Sequence, residues 1–143
     1  GAGAAVVNST GRDMNGLQVA VVGNISGADM LIWQEAVFFN IAGQDMKGFQ
    51  VGWGTNAAGR DMAGAQVAGV LNYAERDMKG VQIGLANVAK EGDMSGIQIG
   101  AVNYAKGEMQ GTFGIINLSD RCRLGLAAPI WGGICLFGRS EGI

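Results

Sequence analysis

Eight asparagines, Asn8, Asn24, Asn40, Asn56, Asn72, Asn87, Asn103 and Asn117, fall 14 to 16 residues apart and mark an internal repeat covering most of the 143-residue chain. A unit that short cannot bury its own apolar face, so neighbouring units must stack into one continuous core. Architecture is therefore readable from this sequence, whereas no motif in it names a substrate.

Aligned on the asparagines, the best-preserved unit reads Asp-Met-x-Gly-h-Gln-h-(Gly/Ala), two or three mostly apolar residues, then Asn-h-(Ala/Ser), where h is usually apolar. Asp13, Asp29, Asp45, Asp61, Asp77 and Asp93 recur every 16 residues, each followed by methionine, and the seventh copy carries Glu108-Met109 instead. Gln18, Gln34, Gln50, Gln66, Gln82 and Gln98 keep step. Glycine stands two residues after the methionine in every copy but the second, Gly111 aligning with Gly96, and Ile32 is the lone exception.

One detail separates two architectures. From Gln to Asn there are six positions in the first four complete copies, as from Gln66 to Asn72, but five from Gln82 to Asn87 and from Gln98 to Asn103. A one-residue slip inside a continuous strand would send every later side chain to the opposite face. The asparagines and their small followers (Ser26, Ala42, Ala58, Ala74, Ala89, Ala105) nevertheless keep their character, so the slip belongs at a corner or bulge that splits each repeat into two short strands. Along the first strand Met78, Gly80, Gln82 and Gly84 share one face, and Lys79, Val81 and Ile83 the other. Helix is disfavoured because glycine recurs two or three times per 16 residues, each costing about 1 kcal/mol relative to alanine. The expected fold is all-β: a β-solenoid of about eight coils over residues 1–118, with residues 119–143 as a non-repeating C-terminal cap.

With 26 glycines and a single proline, the composition suits tight corners in a stacked sheet rather than a disordered or collagen-like segment. Charged residues are only 15% of the chain, a density low enough that its surface is expected to meet a partner, a neighbouring copy or lipid. Scattered Lys and Arg and a net charge of −2 form no basic stripe, which argues against nucleic acid. No apolar run reaches the roughly 18 residues of a membrane helix. Gly1 to Asn8 aligns with Gly80 to Asn87, so the chain opens inside a repeat, as expected of a piece of a longer protein. Cys122 and Cys135 both lie in the tail, where a disulfide and two free thiols are equally compatible with their spacing.

Stacked coils place equivalent residues about 4.8 Å apart. Asn24, Asn40, Asn56, Asn72, Asn87 and Asn103, and Gln18, Gln50, Gln66, Gln82 and Gln98, are then expected to form structural ladders, each amide donating to one neighbour and accepting from the other. An Asp ladder needs compensation, since unit charges that close repel by about 0.9 kcal/mol even in water. Arg12, Arg60 and Arg76 precede three of the aspartates, and an aspartate suits a turn by accepting backbone N–H groups two residues on. A row of calcium ions is the competing account, but one carboxylate per coil is few ligands, so no metal site and no cofactor are assigned. The sequence contains no histidine, paired-carboxylate spacing or phosphate loop, and no catalytic residue is expected.

The second copy, DMLIWQEAVFFN, breaks the pattern. Trp33, Glu35, Phe38 and Phe39, with Phe49 and Trp53 from the next copy, are the candidate contact surface, because an irregular aromatic coil is where a unique partner distinguishes one repeat from another. Self-association through the apolar Leu17-to-Ile99 face is the competing candidate.

The stretches GLQVAVVGNIS (Gly16 to Ser26), GVQIGLANVA (Gly80 to Ala89) and GIQIGAVNYA (Gly96 to Ala105) resemble the surface-repeat proteins of spirochaetes and Bacteroidetes, whose copies read like GLQIGLVNIA or GVQLAGFVNVA. The likeness spans about residues 1–118 and departs at Trp33, Glu35 and the tail. It implies a cell-envelope or surface location and carries over no catalytic residues. The expected function is a non-enzymatic structural or binding domain that presents a stacked β surface to a protein, a glycan or copies of itself. The alternative is a membrane β-barrel or wall-forming assembly, with about ten residues per tilted strand. Strictly alike corners argue against the barrel, whose turns alternate between two sides.

Overall fold

The computed structural model describes residues 2–114, 116–122 and 134–136, of which 108–110, 120–122 and 134–136 are described by backbone alone. Each coil contributes a long strand beginning at its methionine and a short strand centred on its asparagine. In chain order these are β1 (Ala2–Thr10), β2 (Met14–Ser26), β3 (Met30–Ala36), β4 (Phe39–Ala42), β5 (Met46–Gly52), β6 (Thr55–Ala58) and β7 (Met62–Ala68). They continue as β8 (Leu71–Ala74), β9 (Met78–Ile83), β10 (Ala86–Ala89), β11 (Met94–Ile99), β12 (Val102–Phe113), β13 (Ile116–Cys122) and β14 (Ile134–Leu136). In β2 and β12 a long and a short segment run on without a break.

The fold is a β-solenoid. Every pairing among the described residues is parallel and joins a strand to its equivalent one coil away, long on long (β3, β5, β7, β9, β11) and short on short (β4, β6, β8, β10). Parallel pairing of this kind excludes the antiparallel neighbours of a membrane barrel, so the barrel alternative is corrected on that point. The asparagine register, Asn8 on Asn24 through Asn103 on Asn117, makes about seven turns, one fewer than the number of asparagines, because eight stacked positions enclose seven steps.

The change in Gln-to-Asn spacing sits where the two strands of a coil join. Ala68 is followed by Gly69 and Val70 before β8, whereas Ile83 is followed by Gly84 and Leu85 before the equally long β10, and the Asn72–Asn87 register survives. The seventh copy differs from its sequence alignment. Met109 pairs with Met94, but Gly111 pairs with Ile97 and Thr112 with Gln98, so this copy has lost a residue inside the strand and Gly111 is not the equivalent of Gly96. Parallel stacking continues past residue 118 through Cys122 and includes Ile134–Leu136. The rest of the expected cap over 119–143, and the side chains of Cys122 and Cys135, lie outside the described residues.

Inside the coils, Met30, Met46, Met62, Met78 and Met94 are sealed against Ala42, Ala58, Ala74, Ala89 and Ala105. Each buried methionine contributes about 1.5–3 kcal/mol by leaving water. The kink between methionine and glutamine depends on glycine: Gly64 has φ of 136°, and a Cβ there would lie 2.0 Å from the Gly48 carbonyl oxygen of the preceding coil. Ile32 occupies the same position with φ of 101°, the one positive-φ non-glycine residue among those described. For a β-branched side chain that conformation is strained, at a cost of about 1–3 kcal/mol.

Candidate contact surface

The interior amides are engaged in building the coil, with one exception at its C-terminal end. Each asparagine donates one amide hydrogen to Oδ1 of the next asparagine, at 2.8–3.1 Å from Asn8 to Asn117. It donates the other to a long-strand carbonyl of the following coil, as in Asn40 to Val51 and Asn72 to Ile83. The glutamines run the opposite way: each from Gln34 to Gln98 donates to Oε1 of the preceding one at 2.7–2.8 Å, and Gln18 ends the series on Thr10. Gln34, Gln50 and Gln66 also reach across the coil to the short-strand carbonyls of Ile41, Ala57 and Tyr73. Where Thr112 replaces glutamine, the buried Gln98 Oε1 is left without a partner. The two amide ladders thus point in opposite directions along the axis, and neither turns a polar group outward.

The aspartates also bond along the stack, but not as their turn sequence suggests. Asp13, Asp29, Asp45, Asp61 and Asp77 each accept, through Oδ1, the backbone N–H of the aspartate 16 residues on, at 3.0–3.3 Å, rather than one two residues on. Arg60 pairs with Asp45 at 3.5 Å and Arg76 with Asp61 at 3.6 Å, so each guanidinium meets the carboxylate of the preceding coil, not its own neighbour in sequence. Such half-exposed pairs contribute about 1 kcal/mol or less. Among the described residues no three His, Cys, Asp or Glu side chains gather where they could hold a metal ion. On the short-strand wall, Glu75 accepts from Lys90 and from the Tyr73 hydroxyl. Lys90 first and Tyr73 second hold the Glu75 carboxyl below its usual range, and Glu75 raises Lys90. Partial burial, then Glu75, raises Tyr73.

With the interior amides consumed inside, the outward side of the long strands is mostly apolar, with exposed Lys47 and Lys79 beside the methionines and Glu35 toward the joint. Leu17, Val19, Phe49, Val67, Ile83 and Ile97 are each 37–48% exposed, and Ile99 and Phe113 continue the wall. The six residues singled out in the irregular coil do not form one patch. Trp33 and Phe49 stack obliquely on this wall, ring centroids 5.4 Å apart, and Glu35 lies in register between Val19 and Val51. Phe38 (60% exposed) and Trp53 (78%) stand at the joint between long and short strands. Phe39 begins the short strand, its ring lying across Gly23 where a Cβ would sit 2.2 Å away.

Sequence reasoning missed the apolar row along that joint, where Val21, Val37, Val70 and Leu85 are all exposed beside Trp53. These residues fall where the repeat gains or loses a position, so their equivalence is hidden in a linear alignment. Neither the family models, nor the curated proteins, nor the solved structures compared with this chain match it.

Proposed function

We propose that the chain is a non-enzymatic structural and binding repeat domain of the cell envelope, and that its working surface is the outward wall of the long strands. The observation that carries this reading is the division of labour between the two sides of those strands. Buried Gln side chains are spent on a ladder, as the Asn side chains of the short strands are, while the exposed side is a mostly apolar wall about six coils tall with its charges, Glu35, Lys47 and Lys79, toward the edges. A wall that large exceeds the scattered apolar exposure normal for a monomer surface and marks a contact site. The likeness to spirochaete and Bacteroidetes surface repeats supports the envelope placement.

The test is a chain carrying Val67→Lys and Ile83→Lys, compared with the unsubstituted one for sedimentation and for adsorption to an alkyl-coated surface. The unsubstituted chain is expected to associate with itself or with the surface, and the variant, with an unchanged circular dichroism spectrum, to do neither. An unsubstituted chain that stays monomeric and leaves the surface bare overturns the reading.

A further inference from the structure

The middle outward column of the long strands is graded in size. In register it runs Leu17, Trp33, Phe49, Ala65, Val81, Ile97, with the aromatic bulk in the second and third coils and the smallest side chain in the fourth. We propose that the wall pairs with the same wall of a second copy, the two solenoids running in opposite directions about a two-fold axis that passes between Phe49 and Ala65. This rests on the wall being the working surface, and it names the occupant.

With their strands aligned, two identical walls can meet about a two-fold axis in two ways. If the axis runs along the solenoid, every coil faces its own equivalent. With that axis over the middle column, Trp33 meets Trp33 and Phe49 meets Phe49, while Ala65 faces Ala65 across a gap. Sheets packed about 10 Å apart cannot fit the doubled bulk and close the gap together. If the axis runs along the strands, the coil order is reversed. Leu17 then faces Ile97, Trp33 faces Val81 and Phe49 faces Ala65, so each larger side chain of one half meets an aliphatic one of the other. In the adjacent column Val51 faces Val67 and Val19 faces Ile99, while Glu35 faces Ile83 and must turn its carboxylate to water.

Area agrees with this occupant. Long strands of six or seven residues over six coils make a wall about 20–23 Å by 29 Å, so a pair of walls covers about 1,200 Å², at the lower end of the range of stable interfaces. A net charge of −2 per chain adds little repulsion. The charged residues of this wall lie toward its two edges, Glu35 near the joint and Lys47 and Lys79 beside the methionines, at the rim of the pairing, where interfaces are polar.

Trp33 and Val81 are three coils apart within one chain, about 14 Å, so coupling between them reads a contact between copies. Trp33→Val, Val81→Trp and the double variant are compared by sedimentation, with folding checked by circular dichroism. The unsubstituted chain is expected to be a dimer; each single change weakens it about tenfold, and the double change restores it to within about threefold. A second measurement does not depend on tryptophan fitting at position 81. In a Cys122→Ser, Cys135→Ser background, chains carrying Leu17→Cys and chains carrying Ile97→Cys should be joined by a short thiol cross-linker only when mixed. Like positions lie about 24 Å apart in the reversed pairing.

Cross-linking of each chain to its own kind, or a dimer in which the two substitutions show no rescue, overturns the reversed pairing. An unsubstituted chain that adsorbs to the alkyl surface yet sediments as a monomer removes the second copy and leaves the wall as a contact surface.

Discussion

The two sides of the long strands reverse the usual distribution of side chains. Sealed inside are glutamine and methionine, with small residues between them; outside are mostly valine, isoleucine, leucine and phenylalanine. The inner side can be polar because each coil repeats the last, so an amide finds its donor and acceptor by translation along the axis and not by a specially placed partner. Such an interior fixes register, since a slipped coil would leave every amide in it unpaired. The outer side has no translational partner and remains mostly apolar. What holds the coil together and what the coil offers to others are therefore separate chemistries on opposite faces of one strand.

The comparison breaks first, and hardest, at the centre of a ladder. Asn72 accepts from Asn56, donates to Asn87 and donates to the Ile83 carbonyl. Asn72→Leu removes three buried hydrogen bonds and strands their partners, at about 1–3 kcal/mol for each group left unsatisfied. A loss of about 3–5 kcal/mol is expected, read as a lowered urea midpoint. An unchanged midpoint would mean that the interior does not depend on its amides.

A smaller effect of opposite sign is expected at Ile32, which holds a conformation used elsewhere in the array by glycine. Ile32→Gly relieves about 1–3 kcal/mol of backbone strain and gives back about 1 kcal/mol in chain entropy. A net gain of about 1 kcal/mol in thermal or urea unfolding would show that the second coil carries strain that its neighbours avoid. A loss would mean that the isoleucine side chain contributes more than its backbone costs.

Much of this was legible beforehand because a repeat turns one local rule into many tests. Alternation placed Met78 and Gln82 on the inner face and Val81 and Ile83 on the outer, and the shift from Asn72 to Asn87 located the corner. What could not be read were features that depend on the neighbouring coil in three dimensions. Arg60 pairs with the aspartate 15 residues back, not the one beside it. The carboxylate of Asp45 bonds an N–H 16 residues on. Gly111 looks like a repeat glycine in linear spacing, yet strand pairing assigns it to the Ile97 position, because hydrogen-bond register and not residue count decides the alignment. The aromatic residues of the second coil were visible as a group in sequence, but the joint between strands divides them between two walls.

The smallest effect sharpens the comparison most. Ile83 is 39% exposed on the outer wall, directly beside Val67 in register. Replacing it with lysine keeps a four-carbon stem against Val67 while the ammonium reaches water, so little apolar contact within the coil is lost. Compared at a concentration where both chains are monomers, Ile83→Lys is expected to change unfolding free energy by about 0.5 kcal/mol, within the range of ordinary strand propensity differences. A charge on an apolar wall would then be nearly silent, while a leucine among buried amides is severe. A loss comparable to that of Asn72→Leu would instead make the outer wall part of the solenoid's own core, and the separation of folding from association would fail.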